Sequence, residues 1–328
     1  MVALYLTSSE RGSGKTAVGA GLGKHLLNDG KKIGYLKPVI ASKAEGADND
    51  AELMKHLFAL EEPLDLLCPA FRNESELESK IKETYAKVSS GKDAVIIEGS
   101  SATNRIARQI VTALGAKVII IEGYSRELAE KTKNYADFGE SLLGVVLNKV
   151  PRSQWEQVTS EIVTSLSRAG VNILGVLPED RSLVTLSVGE LADALHGEIL
   201  NSAEKSAELV ENFMLGAMCI DSGPIYFSHK VNKAAVIRSE RPDMQLAALE
   251  TLTRCLVLTG KEALRPVVRQ QAKAKNVPII LAGDEPATVA IDIEEILGRT
   301  KFNQEKLPKL IEIMERYFDF GTVPQWLD

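Results

Sequence analysis

The 328-residue sequence predicts two α/β domains in tandem, the first a mostly parallel sheet with helices on both faces and the second smaller. Three observations lead there. Short, almost wholly apolar runs alternate with longer amphipathic ones, as expected of strands buried on both faces and joined by crossover helices. A glycine-rich turn separates the first apolar run from the first amphipathic one. The length suits two domains of roughly 150 residues each.

The elements follow in order. Val2–Leu6, Ile33–Leu36, Ala94–Ile97, Val118–Ile121, Leu143–Leu147 and Ile173–Leu177 read as strands bounded by Gly, Lys or Asn. Lys15–Asn28, Asp50–Leu60, Glu74–Ser89, Asn104–Leu114, Arg126–Tyr135 and Ser153–Arg168 read as helices. Repetition of strand, helix and strand implies right-handed crossovers. Gly30, Gly91, Gly115 and Gly170 each follow a helical segment, where a C-terminal cap is expected. From about Val188 to Met218 the pattern weakens, and the run HGEILNSAEKSAELVENFMLG reads as polar and helical, without a strand. Phe213, Met214 and Met218 read as packing residues on that linking helix. A second series then begins, with strands Ala234–Ile237, Cys255–Leu258 and Val277–Leu281 and helices Met244–Leu252, Leu264–Lys275 and Thr288–Leu297. The boundary is expected near residue 205, giving domains 1–204 and 205–328, the second long enough for its own core. Lys301–Asp328 reads as one more amphipathic helix of that second domain.

Composition excludes several classes of function. With 39 Lys+Arg against 45 Asp+Glu, the net charge is −6, without the basic surplus of a nucleic-acid binder. No apolar run approaches the ~18 residues that span a bilayer, and MVALYLTSSER lacks the basic start of a secretory signal. Cys68, Cys219 and Cys255 are dispersed, and the four histidines show no H-x-x-x-H spacing. A disulfide scaffold and a cysteine zinc site are therefore not expected, and the composition suits a reducing cytoplasm. Neither nucleic acid nor membrane is expected as a partner.

The strongest local signal is Ser9-Glu-Arg-Gly-Ser-Gly-Lys-Thr16, which follows the first strand and opens the first helix. This is the setting of a P-loop. Gly12 and Gly14 let successive backbone N–H groups turn towards one anion. The helix start adds partial positive charge. Lys15 can reach outer phosphates and Thr16 can offer its hydroxyl to Mg²⁺. The strict pattern has Gly where this chain has Ser9. Glu98 ends a buried run before Gly99, a Walker-B-like position for Mg²⁺ or an ordinary loop carboxylate. Asp50 opens a helix, where it is a metal ligand or a cap. Lys37 closes the second strand before Pro38, as a phosphate or carboxylate contact or a solvated charge. Asn148 can meet a nucleobase edge. Pro151 stands where N-K-x-D needs Asp, so adenine is expected rather than guanine.

The succession S-x-x-x-G-S-G-K-T, Y-L-K-P-V, N-D-A, V-I-I-E-G, G-V-V-L-N-K-V and L-G-V-L-P-E-D resembles the dethiobiotin synthetase-like P-loop family over roughly residues 2–198. The version it resembles most is the N-terminal region of long phosphate acetyltransferases. The later run A-A-L, C-L-V-L-T-G-K and V-P-I-I-L-A-G-D-E-P-A-T resembles the DRTGG domain that follows there. The resemblance implies a P-loop NTPase-type sheet followed by a DRTGG-like α/β domain. It implies ATP and Mg²⁺ as cofactors, with Thr16, Asp50 and Glu98 on the metal. Lys15 would act on the phosphates and Lys37 near the reacting groups, these two being the catalytic candidates. Gly12, Ser13, Gly14, Lys15, Thr16, Ala17 and Asn148 would bind nucleotide. A homodimer is implied as well.

The departures shape the expected function. The synthetase has a glycine-rich turn after its glutamate, where this chain reads Glu98-Gly-Ser-Ser-Ala-Thr-Asn104. It also differs along Lys37-Pro-Val-Ile-Ala-Ser42. These loops line the synthetase's substrate site, so ATP binding is expected to be kept and its substrate binding is not. Glu10 replaces the signature lysine of the ParA/MinD class, so segregation chemistry is not expected. The resemblance is to the non-catalytic half of the acetyltransferase, so acetyl transfer is not expected. The first expectation is a regulatory Mg·ATP-binding protein with slow or partner-stimulated hydrolysis. The alternatives are an ATP-dependent ligase of the dethiobiotin type activating a carboxylate or carbamate, and a non-hydrolysing interaction module that keeps the P-loop for stability; a small-molecule carboxylate or a partner enzyme is the expected partner beside nucleotide. In the second domain, Arg238-Ser-Glu-Arg-Pro-Asp243 reads as an anion contact or a surface ion pair. Thr259-Gly260 and Gly283-Asp284 mark strand ends along one edge.

Overall fold

The computed structural model describes residues 1–40, 49–71, 77–99, 104–125, 128, 135–216, 223–260, 262–300 and 302–327. It divides the chain into two compact units, Met1–Glu179 with Leu307–Asp328, and Asp180–Lys306. Among the described residues no helix is long and apolar enough to cross a membrane.

The first unit is built on a sheet of strands β1 (Val2–Thr7), β2 (Ile33–Leu36), β3 (Ala94–Glu98), β4 (Lys117–Gly123), β5 (Leu142–Val150) and β6 (Ile173–Pro178). The spatial order is β2-β3-β1-β4-β5-β6, and every pairing is parallel. All six expected runs are strands. Their β-branched residues are buried on both faces, as crossover helices require: Val95, Ile96 and Ile97 on β3 and Val118, Ile119 and Ile121 on β4 are at most 2 % exposed. The chain departs in opposite directions on either side of β1. The loop after β1 therefore lies at the switch point, where the carboxyl ends of a parallel sheet open a crevice.

Helix α1 (Lys15–Asn28) returns from that loop beneath the sheet, and α2 (Asn49–Leu57) follows β2. The four expected cap glycines all adopt positive φ. The expected helix over 153–168 is not continuous. Trp155–Gln157 and Val163–Arg168 are α-helical, while Val158–Ile162 between them is a π-helix. Thr159 and Ser160 donate side-chain hydrogen bonds back to the carbonyls of Trp155 and Glu156, at 2.8 and 2.7 Å, which loosens the regular ladder there. The expected helix over 126–135 lies largely outside the described residues, as do Ala41, Ser42 and residues 100–103 of the two departing runs, and Met218 and Cys219.

Three expectations about the second half are corrected. The division falls after Glu179, not near 205. Leu186, Val188, Leu191 and Leu195 pack with Val210, Val236 and Val257 in the core of the second unit. The supposed linking helix contains strands instead, including Asn212–Leu215, which carries Phe213 and Met214. That strand forms one edge of a five-stranded sheet with Lys233–Arg238, Thr253–Thr259, Ile279–Leu281 and Glu198–Ile199. The last is antiparallel and the rest are parallel. The C-terminal helix is also reassigned. Leu307–Tyr317 belongs to the first unit and buries Leu307, Leu310, Ile313 and Met314. It reaches α1 because Gly21 has no side chain: a Cβ there would stand 2.2 Å from Met314 Sδ. Beyond it, Phe318 bridges to Gly175 of β6, and Phe320 stacks on His25 of α1 at 3.8 Å.

Candidate functional site

The loop between β1 and α1 turns through Gly12 (φ 74°) and Gly14 (φ 97°). Gly14 is required twice over, since its backbone is left-handed and a Cβ would lie 2.2 Å from Asn148 Nδ2. Helix α1 starts at Lys15 without a side-chain cap on its first turn. Its unpaired N–H groups therefore face the crevice, the arrangement that takes an anion. Ser13 is 3 % exposed and its Oγ has no hydrogen-bond partner among the described residues, a polar atom left over inside the loop.

Lys15 is nearly buried and its Nζ donates to Ser8 Oγ at 2.8 Å. Burial pulls its ammonium below the usual lysine value, against the opposing pull of Glu98. Thr16 Oγ1 donates to Glu98 Oε1 at 2.8 Å, and Tyr35 Oη donates to Glu98 Oε2 at 2.9 Å. Lys37 Nζ stands 2.5 Å from Asp50 Oδ2 and 3.9 Å from Glu98 Oε1. Glu98 is 5 % exposed. Burial pushes its carboxyl above the usual range, Lys37 pulls it back, and Asp50 adds to the rise. The sheet explains the convergence. β3 lies beside β1 with Glu98 level with Leu6, so the end of β3 stands next to the phosphate loop.

The structure thus brings Lys15, Thr16, Lys37, Asp50 and Glu98 into one cluster, with Gly12, Ser13 and Gly14 forming its rim and Ala17 in the first turn of α1. Among the described residues no group of three or more His, Cys, Asp or Glu is placed to hold a metal ion by itself. The oxygen set of Thr16, Asp50 and Glu98 has two carboxylates and a hydroxyl, hard donors of the type Mg²⁺ takes alongside phosphate and water. A cation already sits between the two carboxylates in the form of the Lys37 ammonium, so the residues fit such an ion.

Asn148 is placed differently from its expected role alone. Its Nδ2 donates to Ser13 O at 2.8 Å and its Oδ1 accepts from Lys149 N at 2.9 Å. Lys149 has φ 57°, a left-handed non-glycine residue, and its Nζ donates to Gly12 O at 2.7 Å. The end of β5 therefore clamps two successive carbonyls of the phosphate loop. On the opening side of the loop, Ser9 N and Ser9 Oγ both donate to Glu122 Oε1, at 3.1 and 2.6 Å. Sequence reasoning did not assign Glu122, Lys149 or Tyr35. A signal for Glu122 exists: Ile120-Ile-Glu-Gly123 on β4 repeats the Ile96-Ile-Glu-Gly99 ending of β3. In the second unit, Arg241 pairs with Asp243 at 2.8 Å and Arg238 with Glu285 at 3.4 Å, so the arginines of that loop are engaged with carboxylates.

The family profile described as "AAA domain" matches residues 2–186, and that of the DRTGG domain matches residues 190–296. A phosphate acetyltransferase of Nitratidesulfovibrio vulgaris is 22% identical over 96% of this chain and 50% of its own length. The ATP-dependent dethiobiotin synthetase of Anaeromyxobacter sp. (strain K) is 26% identical over 60% of this chain and 87% of its own. The chain thus spans about half the length of the acetyltransferases it matches. Among solved structures, the MinD cell division protein of Aquifex aeolicus shares 17% identity, with a TM-score of 0.40 over 56% of this chain and 85% of that one. Residues 2–186 place the chain in the AAA-domain family of P-loop proteins, joined to a DRTGG domain and homologous to the N-terminal region of phosphate acetyltransferases and to dethiobiotin synthetases.

Proposed function

We propose that the first unit binds Mg·ATP in the loop 9–16 and that the protein is a nucleotide-dependent regulator with slow or partner-stimulated hydrolysis. The observation that carries this reading is the gathering of Lys15, Thr16, Lys37, Asp50 and Glu98 around a glycine-rich turn whose N–H groups have no cap. Lys15 would leave Ser8 for the phosphate tail and offset charge there. Thr16, Asp50 and Glu98 would hold Mg²⁺, which when bound neutralises phosphate oxygens. Lys37, now neutralising the two carboxylates, would be free to turn to the terminal phosphate or its acceptor. Asn148 keeps one N–H beyond its bond to Ser13 O and would offer it to adenine.

The ligase reading keeps the same cluster and differs only in the acceptor, a substrate oxyanion in place of water. Lys37 favours it, being poised between Asp50 and Glu98. The regulatory reading has a partner enzyme and a homodimer in the cytoplasm as its extensions. Calorimetric titration of ATP, ADP and GTP with and without Mg²⁺ tests the proposal. ATP is expected to bind one site per chain, and Lys15→Ala to lose about ten- to a hundredfold in affinity, the order expected when a charged contact to phosphate is removed. Unchanged affinity in Lys15→Ala removes the assignment. Turnover of 7,8-diaminononanoate with bicarbonate to dethiobiotin would favour the ligase.

A further inference from the structure

The phosphate loop is held at both ends by carboxylates from the strands that flank β1. Glu98 of β3 takes the Thr16 hydroxyl at the closing end. Glu122 of β4 takes both the Ser9 N–H and the Ser9 hydroxyl at the opening end. Glu122 is 1 % exposed, so these are hydrogen bonds to a carboxylate sheltered from water. Gly123, next along β4, runs so close to the loop that a Cβ there would lie 3.7 Å from Ser13 Cα. Position 9 is where the strict phosphate-loop pattern has glycine, and the serine there supplies one of the two bonds.

From this geometry we infer that Glu122 is a positioning residue for nucleotide binding. It fixes the entry of the phosphate loop through Ser9, so that the N–H groups of residues 12–16 stay aimed at one anion. The inference rests on the reading that this loop binds Mg·ATP. A buried carboxylate near an anion site also repels the ligand, so Glu122 helps only through the shape it imposes. The bonds to Oε1 are acceptor bonds, and an amide oxygen in the same place can accept both. Geometry and charge are therefore separable by substitution.

The experiment is calorimetric titration of Mg·ATP into the full chain carrying Glu122→Ala, Glu122→Gln, Ser9→Ala, or Ser9→Ala with Glu122→Ala. Circular dichroism at the titration temperature confirms that each is folded. Loss of two charge-assisted bonds predicts ~10–100-fold weaker binding for Glu122→Ala. Glu122→Gln is expected to recover most of that loss. Ser9→Ala keeps the N–H bond and is expected to lose about three- to tenfold, and nothing further on the Glu122→Ala background. A folded Glu122→Ala with wild-type affinity overturns the inference, and so does a Glu122→Gln as weak as the alanine variant. Should Glu122→Ala fail to fold, an undiminished affinity in Ser9→Ala overturns it. Absence of nucleotide binding by the wild-type chain would instead sink the Mg·ATP reading itself.

Discussion

Replacing Gly14 by alanine separates the chemistry of the phosphate loop from its backbone shape. Two costs arise in the structure. A non-glycine residue at φ 97° carries a left-handed penalty of roughly 1–2 kcal/mol. The new Cβ would also fall 2.2 Å from Asn148 Nδ2, so the amide must move and its 2.8 Å bond to Ser13 O is lost, about 0.5–1.5 kcal/mol more. If both appear in binding, the total of ~1.5–3.5 kcal/mol corresponds to a loss of roughly 10–300-fold in Mg·ATP affinity. Gly30 provides the control. It has φ 75°, caps the far end of α1, and a Cβ there would meet nothing within 4 Å. Gly30→Ala is expected to lower the melting temperature by a few degrees, ~2–4 °C per kcal/mol for a unit of this size, with affinity unchanged. Calorimetry and thermal melts on the two variants decide the matter. Wild-type affinity in Gly14→Ala, or an equal loss in Gly30→Ala, refutes the reasoning that the loop's shape carries binding.

Two further outcomes follow from the same contacts. Glu98 has its folded-state carboxyl raised by burial, so the folded protein holds that proton to higher pH than the unfolded chain does. Stability from this group is therefore greatest at low pH and falls as pH rises from the ordinary glutamate value of 4.5 through the raised one. Glu98→Gln should flatten that dependence and raise the melting temperature at neutral pH, while removing the benefit of Mg²⁺ to ATP binding; melts across pH and titrations with and without Mg²⁺ check both. Met314→Ala should cost about 2–5 kcal/mol, because the side chain is 1 % exposed against α1. The loss is expected in the unfolding transition that Mg·ATP shifts upward, and a loss confined to a transition insensitive to nucleotide would place the C-terminal helix elsewhere.

The contrast between what could and could not be read from residues alone has physical causes. The six strands of the first sheet were legible because both faces are buried, which leaves continuous apolar runs. Gly14, Lys15 and Thr16 were legible because a phosphate loop requires those types at that spacing between a strand and a helix. The edge strand Asn212–Leu215 was not, since only Met214 is buried and the polar residues before it mimic a helix. The amphipathic pattern of Leu307–Tyr317 shows a helix but not which core it joins; that depends on Gly21, nearly three hundred residues earlier. Asn148 was placed by its strand end, but its bond to Ser13 O depends on how β5 and the loop meet in space. Glu122 was overlooked although its strand ends in the same Ile-Ile-Glu-Gly as β3, and its partner Ser9 read as a mere departure from the pattern.

The central claim is that the turn at residues 9–16 grips a triphosphate with Lys15 and a metal shared by Thr16, Asp50 and Glu98. Electron density from crystals grown with Mg²⁺ and a non-hydrolysable ATP analogue tests it most directly. The account predicts phosphate against the N–H groups of residues 12–16, with Lys15 moved from Ser8 to the phosphates and Lys37 displaced from Asp50 by the ion. An analogue bound elsewhere, with Lys15 still on Ser8 and Lys37 still between the two carboxylates, would contradict it.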